Sequence, residues 1–163
     1  MSVVKNVVIG IADYGIARPP EMLVTYALGS CVGICLYDAQ IRLAGMAHIL
    51  LPDSTKITNN DQKKKFADTC IIELINFMIK NGASKSRIKA KIAGGAQMFA
   101  VSGDSSISNI GVRNIEAVKK VLAANNIFIV AEDTGQNFGR TQFFDPATGV
   151  MLIKSGVYGE KRF

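Results

Sequence analysis

No run of apolar residues in this chain approaches the roughly 18 needed to cross a bilayer. The first ten residues hold a single lysine and no long apolar segment ahead of a small-residue cleavage site. Neither a spanning helix nor a secretory signal is expected, so the chain reads as cytoplasmic, without membrane insertion. Internal repeats, low-complexity stretches and long linkers are also missing. Residues 1–163 are therefore expected to form one domain. Cysteine is sparse, at Cys31, Cys35 and Cys70. An odd count in a chain with no apparent leader argues against a disulfide framework. Those three and the single histidine, His48, make a poor zinc set. Cys31 and Cys35 lack a second closely spaced ligand pair, and Cys70 falls in an amphipathic pattern. No metal site is expected.

Charge of one sign is in modest excess, with a net charge of +6. The lysines and arginines are scattered, and the one dense run is Lys63-Lys64-Lys65. No aromatic residues are interleaved with it, as a single-strand nucleic-acid binder would want. It reads as a solvated helix face. Nucleic acid is not expected as a partner, whereas an acidic protein surface is compatible with the charge.

Apolar residues make up 48% of the chain and are spread along its length, enough for a sizeable core. Strand character is read at residues 3–9, 22–28, 31–37, 41–51, 88–93 and 127–131, with a hairpin over 142–158 around Asp145-Pro146-Ala147-Thr148-Gly149. Residues 13–20 read as a loop that ends in Pro19-Pro20. One helix is expected to start at an Asn60 or Asp61 cap, with Phe66, Cys70, Leu74 and Phe77 stepping along its apolar stripe and Asn81-Gly82 ending it. A second covers residues 110–124, with Ile115, Val118 and Leu122 inward. Strands and helices do not alternate regularly, which favours an α/β fold of packed mixed β-sheets flanked by two main helices.

Chemistry concentrates at Gly29-Ser30-Cys31. A thiol at a glycine turn sits beside backbone amides able to lower its pKa or to hold an oxyanion. Side-chain alternation along the strand puts Val32, Ile34 and Leu36 on one face. Cys31, Gly33 and Cys35 share the other, where Gly33 would leave open space beside the thiol. Cys31 could equally be a small buried hydrophobe, the reading that suits Cys35 and Cys70. His48 lies on the following strand and is a natural base for a thiol, although a lone histidine is often structural. Lys91-Ile92-Ala93-Gly94-Gly95-Ala96 ends a strand in a double glycine open to close approach by a substrate. It lacks a Walker lysine. Asn109-Ile110-Gly111-Val112-Arg113-Asn114 and Glu132-Asp133-Thr134-Gly135 read as turn-forming clusters, the latter as a polar loop.

These motifs, with Leu28-Gly29-Ser30-Cys31 and Met46-Ala47-His48-Ile49-Leu50-Leu51-Pro52, closely resemble the chemoreceptor glutamine deamidases, the CheD family. The resemblance runs in order along nearly the whole chain. It implies an α/β fold related to toxin-type cysteine deamidases, and a catalytic triad of Cys31, His48 and Thr25. It further implies deamidation of glutamines, and hydrolysis of methyl esters, on the cytoplasmic helical hairpins of chemoreceptors, with a CheC-type phosphatase as partner and no cofactor. Gly29, Ser30, Gly94 and Gly95 are candidates for substrate or oxyanion contacts. Gly135-Gln136 and Phe138 depart from the family pattern in the last motif. The competing reading is a binding module that regulates a CheC-type phosphatase.

Overall fold

Residues 4–98 and 109–163 are described by the structure, a computed structural model. Residue 3 of the expected first strand lies outside them. The strands are β1 (Asn6–Val8), β2 (Asp13–Ala17), β3 (Met22–Leu28), β4 (Val32–Asp38), β5 (Leu43–Ile49), β6 (Lys89–Gly94), β7 (Ile129–Thr134), β8 (Arg140–Asp145), β9 (Val150–Ser155) and β10 (Gly159–Arg162). The helices are α1 (Ala67–Lys80) and α2 (Ile110–Ala124).

The strands build two mixed sheets, as expected. One has the order β1-β3-β8-β9-β10 and the other β2-β5-β4-β6-β7. Among the described strands, only β1–β3 and β6–β7 pair in parallel. Both helices pack on one face of the β4–β5 sheet, and its other face meets the second sheet. Two cores follow. Val32, Ile34, Leu36, Ala47 and Ile49 pack with Cys70, Leu74, Met78, Val118 and Leu122 beneath the helices. Cys31, Cys35, Ala44 and Met46 pack with Leu23, Phe144, Met151 and Ile153 between the sheets. A strand buried on both faces reads as an almost continuous apolar run, which accounts for Val-Gly-Ile-Cys-Leu and Leu-Ala-Gly-Met-Ala.

Several sequence expectations are corrected. Residues 13–17 form the edge strand β2, paired antiparallel with β5 from Asp13↔His48 to Ala17↔Ala44. The prolines end a strand here and do not define a loop. Helix α1 begins at Ala67 and not after Asn60 or Asp61. The segment before it is committed elsewhere: Lys63–Lys65 form a 3-10 turn, and the Lys65 carbonyl accepts from the Leu50 and Leu51 amides. Phe77 leaves the expected stripe and stacks edge-on against Tyr14 of β2. Glu132, Asp133 and Thr134 lie within β7 and not in a loop, because they pair with Ile92, Ala93 and Gly94. Helix α2 has the expected bounds. No helix among the described residues is long and apolar enough to cross a membrane.

Candidate active site

Thr25, Cys31 and His48 all project into the layer between the sheets. The β4–β5 register sets Gly33 opposite His48, and residues opposite each other in a ladder share a face. Cys31, two residues before Gly33, falls on that face as a diagonal neighbour of His48. Thr25 comes from the opposing sheet, on the same side of β3 as the interior Leu23. A chain of two short hydrogen bonds links these groups to the backbone. The Thr25 hydroxyl donates to the Ile9 carbonyl at 2.7 Å, and its oxygen lies 2.7 Å from His48 Nδ1.

That chain fixes the histidine tautomer. A hydroxyl has one proton, and Thr25 gives it to a carbonyl that can only accept. Thr25 must therefore accept from His48, which puts the imidazole proton on Nδ1. His48 Nε2 is left with a free lone pair. It is buried and has no hydrogen-bond partner among the described residues, so the thiol is not hydrogen-bonded to it in this resting geometry. Such contacts are often long in an unliganded site and tighten when substrate is bound. Burial lowers the His48 pKa to about 4 and raises that of the Cys31 thiol, a rise offset in part by its own backbone N–H. Both groups are neutral at pH 7. Cys31 is 7% exposed. Cys35 and Cys70 are fully buried, as expected for structural thiols, with the Cys70 pKa pushed up to about 12.

The turn that presents Cys31 is held by its carbonyls. Ala96 N–H donates to Gly29 O and Gly95 N–H to Cys31 O, each at 2.8 Å. The N–H groups of Ser30 and Cys31, by contrast, donate to no carbonyl of another described residue. The double glycine backs that turn. A Cβ at Gly94 would stand 2.3 Å from Cys31 O, and both glycines have positive φ, 103° and 70°. What approaches them closely is the Cys31 carbonyl and helix α2. The Gly95 amide is engaged with Cys31 O, so these glycines support the turn. The left-handed residue ahead of the turn is Ala27, with φ of 60°, and not Gly29.

Gly33 does not open a space. Its missing Cβ is replaced by the buried Gln142 side chain, whose Oε1 would lie 1.9 Å from such a Cβ. Gln142 Nε2 donates to Gly33 O at 3.2 Å. Sequence reading missed Gln142; its only signal is a polar residue at an inward position of an alternating strand. Farther out, Arg140 pairs with Asp133 at 3.4 Å and donates to Gly135 O at 3.0 Å, which fixes the loop that departs from the family pattern. Among the described residues no group of three or more His, Cys, Asp or Glu side chains is placed to share a metal ion.

A thiol, an imidazole and a hydroxyl facing one inter-sheet layer of a two-sheet α/β scaffold are the groups that a thiol-dependent hydrolase would use. A family model described as CheD, chemotactic sensory transduction, matches residues 50–155. Relatives from Syntrophomonas wolfei and Lachnoclostridium phytofermentans are each 50% identical. They cover 96% and 90% of this chain and 98% and 91% of their own length. A third, from Clostridium novyi, is 51% identical over 90% of this chain and 91% of its own. All three are described as probable chemoreceptor glutamine deamidases CheD. The crystal structure of the Bacillus licheniformis hypothetical protein YfiH superposes with a TM-score of 0.50 at 17% identity, over 77% of this chain and 51% of that one. This chain thus spans about half the length of that protein, and the likeness concerns the fold alone. The chain belongs to the CheD family.

Proposed function

We propose that this chain is a chemoreceptor glutamine deamidase that acts through Cys31, His48 and Thr25, with residues 1–163 as one domain. The observation that carries the site is the Ile9–Thr25–His48 hydrogen-bond chain, which leaves Nε2 as a base facing the inter-sheet layer from which Cys31 also projects. His48 Nε2 takes the thiol proton as Cys31 Sγ attacks the glutamine carboxamide carbon. The Ser30 and Cys31 amides hold the oxyanion. The imidazolium passes its proton to the departing ammonia, and a thioester remains. Water, deprotonated by His48, then releases glutamate and the free thiol. The chemistry uses no cofactor. A narrow primary carboxamide on a flexible stem suits a thiol that is only 7% exposed.

The receptor segments are the cytoplasmic helical hairpins, which places the reaction in the cytoplasm, and a CheC-type phosphatase is a further partner. The test is incubation with receptor fragments and mass analysis, which reads a gain of about 1 Da per converted glutamine. Cys31→Ala is expected to abolish the gain, and His48→Ala to slow it roughly 100-fold or more while the fold is kept. Full activity in Cys31→Ala would overturn the assignment.

A further inference from the structure

The β4–β5 ladder runs from Asp38↔Leu43 to Val32↔Ile49 and then stops. Past that point the two chains part. Leu50 and Leu51 turn their amides to Lys65 O, and Leu51 bridges to Phe66. The nucleophile turn on one side and the chain just after His48 on the other share no backbone hydrogen bond among the described residues. Among the described residues one side chain joins them. Asn114, fully buried on helix α2, donates from Nδ2 to Ser30 O at 2.9 Å and to Leu50 O at 3.1 Å. Both partners are carbonyls that can only accept, so the chemistry fixes which end of the amide faces them.

The same amide leaves Oδ1 buried without a partner among the described residues, an arrangement unfavourable to stability. The helix that carries it is pressed against the support of the nucleophile. A Cβ on Gly111 would lie 2.4 Å from Ala96 O and 2.6 Å from Gly95 O, and one on Gly95 would lie 2.3 Å from Ile115 Cγ1. With Asn114 in place, three successive carbonyls are held, those of Gly29, Ser30 and Cys31.

We propose that Asn114 is a positioning residue for the deamidation. Its two amide hydrogens replace the missing rung between the nucleophile turn and the end of the base strand, and so set the relation of Cys31 to His48. This rests on the Cys31–His48 reading above.

The test compares full-length wild type, Asn114→Leu and His48→Ala in two measurements: deamidation of a receptor fragment, and the pH dependence of Cys31 alkylation by iodoacetamide. In wild type, neutral His48 supports alkylation well below the thiol's own titration, and His48→Ala loses that shoulder. Asn114→Leu is expected to keep KM within about twofold and to lose roughly 10- to 100-fold in kcat, the scale of a small misplacement of reacting groups. Its alkylation profile should move toward that of His48→Ala. A kcat within twofold of wild type, or an unchanged alkylation profile, overturns the proposal. Should Asn114→Leu fail to fold, Asn114→Ser, which is smaller and still polar, is expected to fold and to show the same two changes in milder form; a wild-type profile there overturns it equally. Failure of the underlying reading looks different. In that case wild type and His48→Ala alkylate alike, and the role of Asn114 falls with the pair.

Discussion

At the residue scale the informative group is Thr25. It bonds to the imidazole and to a backbone carbonyl and, in the mechanism proposed, does not touch the substrate. It decides which imidazole nitrogen carries the proton. With valine in its place the hydroxyl is lost at nearly constant volume, and His48 Nδ1 has nothing to donate to in an apolar layer. Thr25→Val is expected to lower kcat roughly 10- to 100-fold with KM little changed. Thr25→Ser, which keeps the hydroxyl, should recover most of the loss. A valine variant as active as wild type would remove Thr25 from the mechanism. Sequence alone brought Cys31 and His48 to notice, through a glycine turn and a lone histidine on the next strand. Thr25 came from the family resemblance, because nothing in Val-Thr-Tyr marks a threonine that reaches across from another sheet. Long-range pairings of that kind depend on sheet order, which local patterns do not encode.

At the scale of elements, β4 explains both what was legible and what was not. Its alternation assigned Val32, Ile34 and Leu36 to one face and Cys31, Gly33 and Cys35 to the other, and the structure keeps that division. What alternation cannot show is whether the second face meets water or another layer. Here it meets the second sheet, so Gly33 is a notch filled by Gln142. Gly33→Ala would drive a methyl into that amide, and overpacking of a tight interior is destabilising by about 1–3 kcal/mol. A lower thermal midpoint for Gly33→Ala is expected, with partial recovery in the Gly33→Ala/Gln142→Ala double variant, where the amide no longer stands in the way. Additive losses in calorimetry would show that the two positions do not meet. Strand β2, expected as a loop, and the start of α1 were misread for a related reason. Pro19-Pro20 and Asn60-Asp61 are sound local stop and start signals. Pairing with β5, and the capture of Leu50 and Leu51 by Lys65, override them.

For the molecule as a whole, the layer between the sheets couples the site to stability. Burial holds the His48 pKa at about 4, against 6.5 in an unfolded chain. Above pH 6.5 the imidazole is neutral in both states and the full stability is present. Between 6.5 and 4 the unfolded chain takes up a proton that the folded one refuses, so stability falls as pH falls. The loss across that window is on the order of 3 kcal/mol. Asp38 adds to the effect lower down. Burial would raise its pKa, but hydrogen bonds from Arg87 and Ser84 outweigh that and hold it below its usual value. Its contribution is therefore present above the unfolded carboxylate pKa and disappears as pH drops through the folded one. Urea unfolding at pH 7 and pH 4.5 should show the His48 component, and His48→Asn should flatten it; an equally steep fall in that variant would assign the loss to other groups.

The Cys31 thiol, closed in by two sheets and kept protonated, has a consequence outside hydrolysis. Peroxides and other oxidants attack thiolates, and they attack those that solvent can reach. An exposed, acidic cysteine would be a ready target for conversion to sulfenic acid whenever a cell met oxidative stress. Largely buried and held neutral, this one offers such oxidants a poorer target than an exposed, acidic thiol would.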